Sequence, residues 1–200
     1  MGSVRRITLH YAVIQGLYWI TYCLVFNFAA VFLLDKGFGN GETGASLGAS
    51  YLISALLQPI SGARFSRSRY LLNLCAVCVY ILICALSLCL ALVPMRRPVM
   101  ILVIIALFSL QSMMQPTINA QSTDCEAAGI QVTKGLARGI GSATFAATCF
   151  GIGQLLRQCS PSLLPALYCA STGLLILALL PFHAGGGQKS AEAPQAQVSY

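Results

Sequence analysis

Three sets of polar and aromatic residues recur at helical spacing inside otherwise apolar stretches of this chain. Gln111, Gln115 and Asn119 stand at i, i+4 and i+8 with Ser112 beside them, which puts three amides on one face of a helix. Gln15, Trp19, Tyr22 and Phe26 form a mixed amide and aromatic stripe in the same way. Arg138, Ser142 and Phe145 share a third face at i, i+4 and i+7. The chemistry open to these groups is recognition: amides donate and accept, rings offer apolar faces, and a guanidinium supplies fixed donors. Two readings of the amides stand side by side. They either hydrogen-bond between helices, each worth about 0.6–2 kcal/mol in a membrane, or line a wetted path. Trp19 and Tyr22 lie well inside their stretch, which favours a cavity wall over an interfacial aromatic belt. Arg138 either marks the end of a span and reaches the headgroups or serves such a path.

Bond-making chemistry finds no support. The two histidines, His10 and His183, stand at opposite ends of the chain. No carboxylate pair lies within an apolar stretch, and no zinc-protease, nucleophile-elbow or phosphate-cradling motif occurs. Cys75 and Cys78 form a CxxC, but with no histidine or second pair nearby they read as small apolar residues, like most of the nine cysteines. The sequence therefore predicts no enzyme, no metal and no cofactor.

The elements that must position these stripes are long and greasy. Hydrophobic residues make up 57% of the 200 and charged residues 8%, against roughly 25% charged in a soluble domain. Mean hydropathy is +0.77. A bilayer core about 30 Å thick needs roughly 20 apolar residues per helical crossing, and continuous apolar runs select helices over barrel strands. The runs predict an all-α integral membrane protein with six transmembrane helices at about 9–34, 44–63, 70–93, 99–119, 138–157 and 162–182. The fourth connection, 121–137, is the longest, and Asp124 and Glu126 read as solvated loop charges. Residues 183–200 are a polar tail, expected to be disordered.

Net charge is +7, but no basic cluster is interleaved with aromatics, so nucleic acid is not an expected partner. The charge reads as topology. With six crossings, Arg5, Arg6, Arg64, Arg67, Arg69, Lys134, Arg138 and Lys189 fall on one side, and Lys36, Arg96, Arg97 and Arg157 on the other. The positive-inside rule then places both termini in the cytoplasm of a multi-pass protein of the cell membrane. Small residues, Ala143 and the glycines at 44, 48, 135, 139, 141, 151 and 153, predict close helix contacts.

Three stretches carry a family resemblance. Leu34-Asp35, Glu42-Thr43-Gly44 and Leu57-Gln58-Pro59-Ile60-Ser61-Gly62 resemble the first two helices of the lactose-permease-like branch of the major facilitator superfamily. The segment from Gly62 to Arg69, with Ser66 and Arg67 between, looks like the superfamily's conformational loop G-x-x-x-D-R/K-x-x-R. Gly135 to Ser142 looks like the start of helix five. The resemblance covers most of residues 9–182 and implies one six-helix half of a twelve-helix carrier, typically proton-coupled, for sugars or similar small polar solutes. It implies that Arg138 binds the solute, that Phe145 stacks on it, and that Tyr22 and Phe26 line the cavity. Asn119 and Gln115 join them as expected lining residues, and helices three and six are expected outermost.

Two departures from the family pattern are plain. Ser66 replaces the acidic residue of the loop, and no carboxylate stands near Asn119 to partner Arg138. The residues serving proton coupling in the permease belong to the half not represented here. The expected partners are accordingly a small solute, a proton, the bilayer, and either a second copy or a missing second half. A non-transporting fragment and an assembly subunit of a larger membrane complex are the alternatives.

Overall fold

The protein is described by a computed structural model over residues 2–65, 69–127 and 133–181. All regular elements among the described residues are helical. They are α1 (Gly2–Asp35), α2 (Asn40–Phe65), α3 (Arg69–Leu92), α4 (Arg97–Ala127), α5 (Lys134–Leu155) and α6 (Leu164–Leu179), the last entered through a 3₁₀ turn at Pro161–Leu163. Four of the six, α1, α3, α4 and α6 with its lead-in turn, are long and apolar enough to cross a bilayer. The chain is a membrane protein. α2 and α5 have comparable lengths, 26 and 22 residues, but glycine, serine and threonine keep any bilayer-length stretch of them less apolar than those of the other four.

The element ends correct part of the sequence reading. α4 continues to Ala127, so Gln121 and Ser122 are helical and Asp124 and Glu126 are helix positions, not loop residues. Hydropathy marks where a helix leaves the hydrocarbon, whereas Gln, Ala and Glu keep propagating it into water. Ser66, Arg67 and the tail 183–200 lie outside the described residues. Gly62 and Arg69 fall on the last turn of α2 and the first of α3.

Pro59 and Pro116 sit inside α2 and α4. Each removes one helical N–H and frees a carbonyl four residues earlier, a defect that neighbouring polar side chains make tolerable in a membrane. Here Gln58 Nε2 donates to Ser112 Oγ at 2.7 Å, joining the two helices beside both prolines.

Side-chain contacts fix the packing and the relative directions. α1 is central and packs on α5, α6, α4 and α2. α2 packs mainly on α4, and α3 mainly on α6 and then α4. Gln15 meets Asn119, Thr21 meets Gln111 and Phe26 meets Phe108, so α1 and α4 run antiparallel. Gly16 faces Thr144 and Cys23 faces Cys149, so α1 and α5 run parallel. The outer faces of α3 and α6 carry Leu74, Ile81, Leu82, Leu88, Leu174 and Leu177, while Tyr80, Ser87, Tyr168, Ser171 and Thr172 of the same helices point inward.

One end of the bundle is tied by its connections. Gly37 takes φ +81° and closes α1 with Phe38 N–H on Leu33 O at 3.1 Å and Gly37 N–H on Leu34 O at 3.0 Å. A side chain at Gly37 would be strained there. Glu42 then turns back to accept from Gly39 N–H at 3.0 Å, half of a capping box for α2. Lys36 donates to Ser162 Oγ at 2.8 Å, and Ser162 donates to Asp35 Oδ2 at 3.0 Å. Arg97 donates to Gly37 O at 3.1 Å and lies 3.8 Å from Glu42. Three connections thereby share one polar clamp.

The glycine expectation holds at one position of the seven. A Cβ at Gly141 would overlap the Trp19 indole, whereas at Gly44, Gly48, Gly135, Gly139, Gly151 and Gly153 it would meet open space. The close seam also uses Gly16, which faces Thr144 and Ile140. Gly41 of α2 likewise makes no close contact within the described residues.

Candidate functional site

α4 and α5 both pack on α1 but scarcely touch each other. That leaves a groove between them, floored by the α1 stripe of Gln15, Trp19, Tyr22 and Phe26. Trp19 reaches across to Phe145 of α5 with ring centres 5.9 Å apart and nearly perpendicular planes. Trp19 and Tyr22 stand 5.3 Å apart, and Tyr22 stacks on Phe26 at 4.1 Å and 7°. The rings continue to Tyr51 of α2, 5.5 Å from Phe26, and to Phe108 of α4, 4.4 Å from Phe26. Tyr51 OH also donates to Phe26 O at 3.2 Å. One aromatic ladder therefore links α5, α1, α2 and α4.

The expected site residues divide along this groove. Tyr22 and Phe145 are half-buried members of the ladder, and Phe26 is buried beneath it. On the α4 side, Gln15 Nε2 donates to Asn119 Oδ1 at 3.4 Å, with Gln15 also donating to Tyr11 OH at 2.7 Å. Asn119 itself is exposed, and Gln115 is half-buried with no hydrogen bond among the described residues. On the α5 side, Arg138 is exposed and has no ion-pair partner among the described residues. The α1–α5 register sets Arg138 within about one turn of Gln15 in depth. Gln115, Arg138 and the amide nitrogen of Asn119 thus carry polar atoms with no hydrogen-bond or ion-pair partner among the described residues, on the two helices that flank the aromatic ladder. That arrangement can hydrogen-bond and stack a small polyhydroxylated or amphipathic molecule.

The third amide of the α4 stripe does something else. Gln111 is fully buried. Its Nε2 donates to Thr21 Oγ1 at 2.9 Å, and its Oε1 accepts from Tyr168 OH at 3.0 Å. Gln111 joins α4 to α1 and α6 and has no exposed atom to offer a solute. The two readings of the stripe therefore apply to different members: Gln111 is interhelical glue, while Gln115 and Asn119 remain accessible.

An apolar cavity of about 40 Å³ lies on the other side of α1, lined by Phe28, Phe32, Leu90, Ile104, Leu107 and Leu164 among others. Its polar neighbours are already paired: Ser87 donates to Pro165 O at 2.6 Å and Tyr168 to Gln111. With an apolar lining and no free polar group, it offers a polar solute no hydrogen bond.

Sequence spacing missed Tyr51 and Phe108. Each sits alone in an apolar run, with no polar periodicity to single it out. It also missed the contact of Cys23 with Cys149, because pairing between helices leaves no local spacing. No protein-family model, curated protein or solved structure matches this chain.

Proposed function

We propose that this chain is one six-helix half of a facilitator-type carrier that moves a small polar, sugar-like solute across the cell membrane. In this reading α2 and α5 cross the bilayer with the other four helices, and both termini lie in the cytoplasm. The observation that carries it is the groove: accessible Gln115, Asn119 and Arg138 beside the half-buried rings of Trp19, Tyr22 and Phe145. A lipid-facing groove would leave these donors without partners, at a cost of several kcal/mol per group in hydrocarbon.

The packing pattern supports the same reading. Exchanging α1, α2 and α3 with α4, α5 and α6 turns the α1–α5 contact into α4–α2 and α1–α6 into α4–α3, and returns α3–α6 to itself. α1 and α4 are antiparallel, so the exchange inverts direction, as in the paired three-helix repeats of such carriers. α3 and α6 lie on the far side of α1 from the groove. The uncovered glycines of α2 and α5 leave room for a second six-helix body to close it. That body is a second copy of this chain or a separate half, and rocking of one against the other gives alternating access.

Uptake of radiolabelled mono- and disaccharides into proteoliposomes containing only this chain tests the proposal. Uptake above that of empty vesicles is expected, and Arg138→Leu or Gln115→Leu lowers it about tenfold or more, the worth of a lost solute hydrogen bond. A folded protein that takes up none of these solutes removes the autonomous-carrier reading. The same uncovered glycines then favour an assembly subunit held against a different membrane protein.

A further inference from the structure

Cys23 of α1 and Cys149 of α5 hold their sulfurs 3.2 Å apart, and Asn27 Nδ2 donates to Cys149 Sγ at 3.1 Å. Cys23 is fully buried. Cys149 is half-buried and stands one turn beyond Phe145, beside the exposed Asn27. The seam that brings the two together is a close one, with Gly141 under Trp19 and Gly16 against Thr144. A disulfide bond is about 2.05 Å long, so the sulfurs need approach by only about 1 Å.

We propose that Cys23 and Cys149 form a redox-modification site, in which a hydroperoxide converts the two thiols to a disulfide that staples α1 to α5. Cys149, the accessible member, reacts first: its deprotonated sulfur attacks one peroxide oxygen, the O–O bond breaks, and the other oxygen leaves as water after taking up a proton. The product is a sulfenic acid on Cys149. The Cys23 sulfur then attacks the Cys149 sulfur, the S–S bond forms, and the sulfenic oxygen leaves as a second water carrying the Cys23 proton. With hydrogen peroxide, two thiols and one peroxide give one disulfide and two waters. The sulfurs supply the two electrons that reduce the O–O bond. The staple fixes one wall of the groove to its floor. It stands on the sulfur contact and the helix seam, and shares with the transport reading only the wetted groove in which the Cys149 thiolate forms.

The test treats the full chain in lipid nanodiscs with hydrogen peroxide, quenches it, denatures it, alkylates the remaining thiols and maps the peptides by mass spectrometry. Two of the nine thiols are expected to escape alkylation, with the peptide of Cys23 joined to that of Cys149 and a reductant restoring both. Cys149→Ser abolishes the link. Cys84→Ser, which alters the α3–α6 contact where Cys84 Sγ donates to Cys169 O at 3.5 Å, preserves it. Links that instead join separate chains, or that join Cys75 to Cys78, overturn the proposal. So does a Cys149 sulfenic acid that never passes to Cys23 in folded, unsubstituted protein.

Discussion

Gly141→Ala destabilises the protein by about 2 kcal/mol, while Gly153→Ala on the same helix stabilises it by up to about 1 kcal/mol. The two substitutions add the same methyl group and gain the same helix propensity, close to 1 kcal/mol for replacing glycine. They differ in what the new atom meets. At Gly153 it meets open space, and at Gly141 it overlaps the Trp19 indole. Trp19 has no easy retreat, since Tyr18, Tyr22 and Phe145 all hold its ring edge-on. Overpacking of a fixed aromatic typically costs 1–3 kcal/mol, enough to outweigh the propensity gain. Thermal melting of both variants in the same detergent reads the opposite signs. Equal shifts of either sign would mean that the α1–α5 seam is looser than described.

Gln111→Leu separates glue from solute contact. The substitution leaves the Tyr168 hydroxyl without its acceptor and takes the Gln111 donor from Thr21, although Thr21 still donates to Tyr18 O at 2.7 Å. An orphaned buried hydroxyl costs about 1–3 kcal/mol; measured interhelical bonds in membranes average nearer 0.6. A loss of about 1–2 kcal/mol in stability is therefore expected. Adding Tyr168→Phe to Gln111→Leu recovers part of it, because the orphaned hydroxyl is gone. A Gln111→Leu protein as stable as the parent but inactive in uptake would instead make Gln111 a solute ligand.

These two residues also mark what could be read from the sequence and what could not. Long uninterrupted apolar runs identified α1, α3, α4 and α6 as membrane helices, because lipid demands apolar residues all along a crossing. The same reading predicted crossings at 44–63 and 138–157, but the glycines and hydroxyls of α2 and α5 lower their hydropathy, so composition does not single them out as it does the other four. The amide stripe of α4 was legible as a periodicity but not as a single surface. Steps of four residues drift by about 40° each on a helix of 3.6 residues per turn, so Gln111 turns toward Tyr168 while Asn119 turns toward Gln15. The aromatic ladder was half legible. Its α1 members share a spacing, whereas Tyr51 and Phe108 enter only through the packing of α2 and α4. The glycines show the converse failure: a small residue permits close approach without requiring it, and only Gly141 of the seven is covered.

The central claim, that the groove between α4 and α5 holds water within the bilayer, is tested most directly by thiol accessibility in liposomes. Cysteine is introduced in place of Gln115, or in place of the outward-facing Leu82 of α3, and each protein is exposed to a charged, membrane-impermeant maleimide. Peptide mass spectrometry then reads labelling at the new position. A thiol reacts as its thiolate, which forms in water and not in hydrocarbon. Labelling at position 115 at least about tenfold faster than at position 82 is the predicted result; no labelling at position 115, or equal rates at the two, would contradict it.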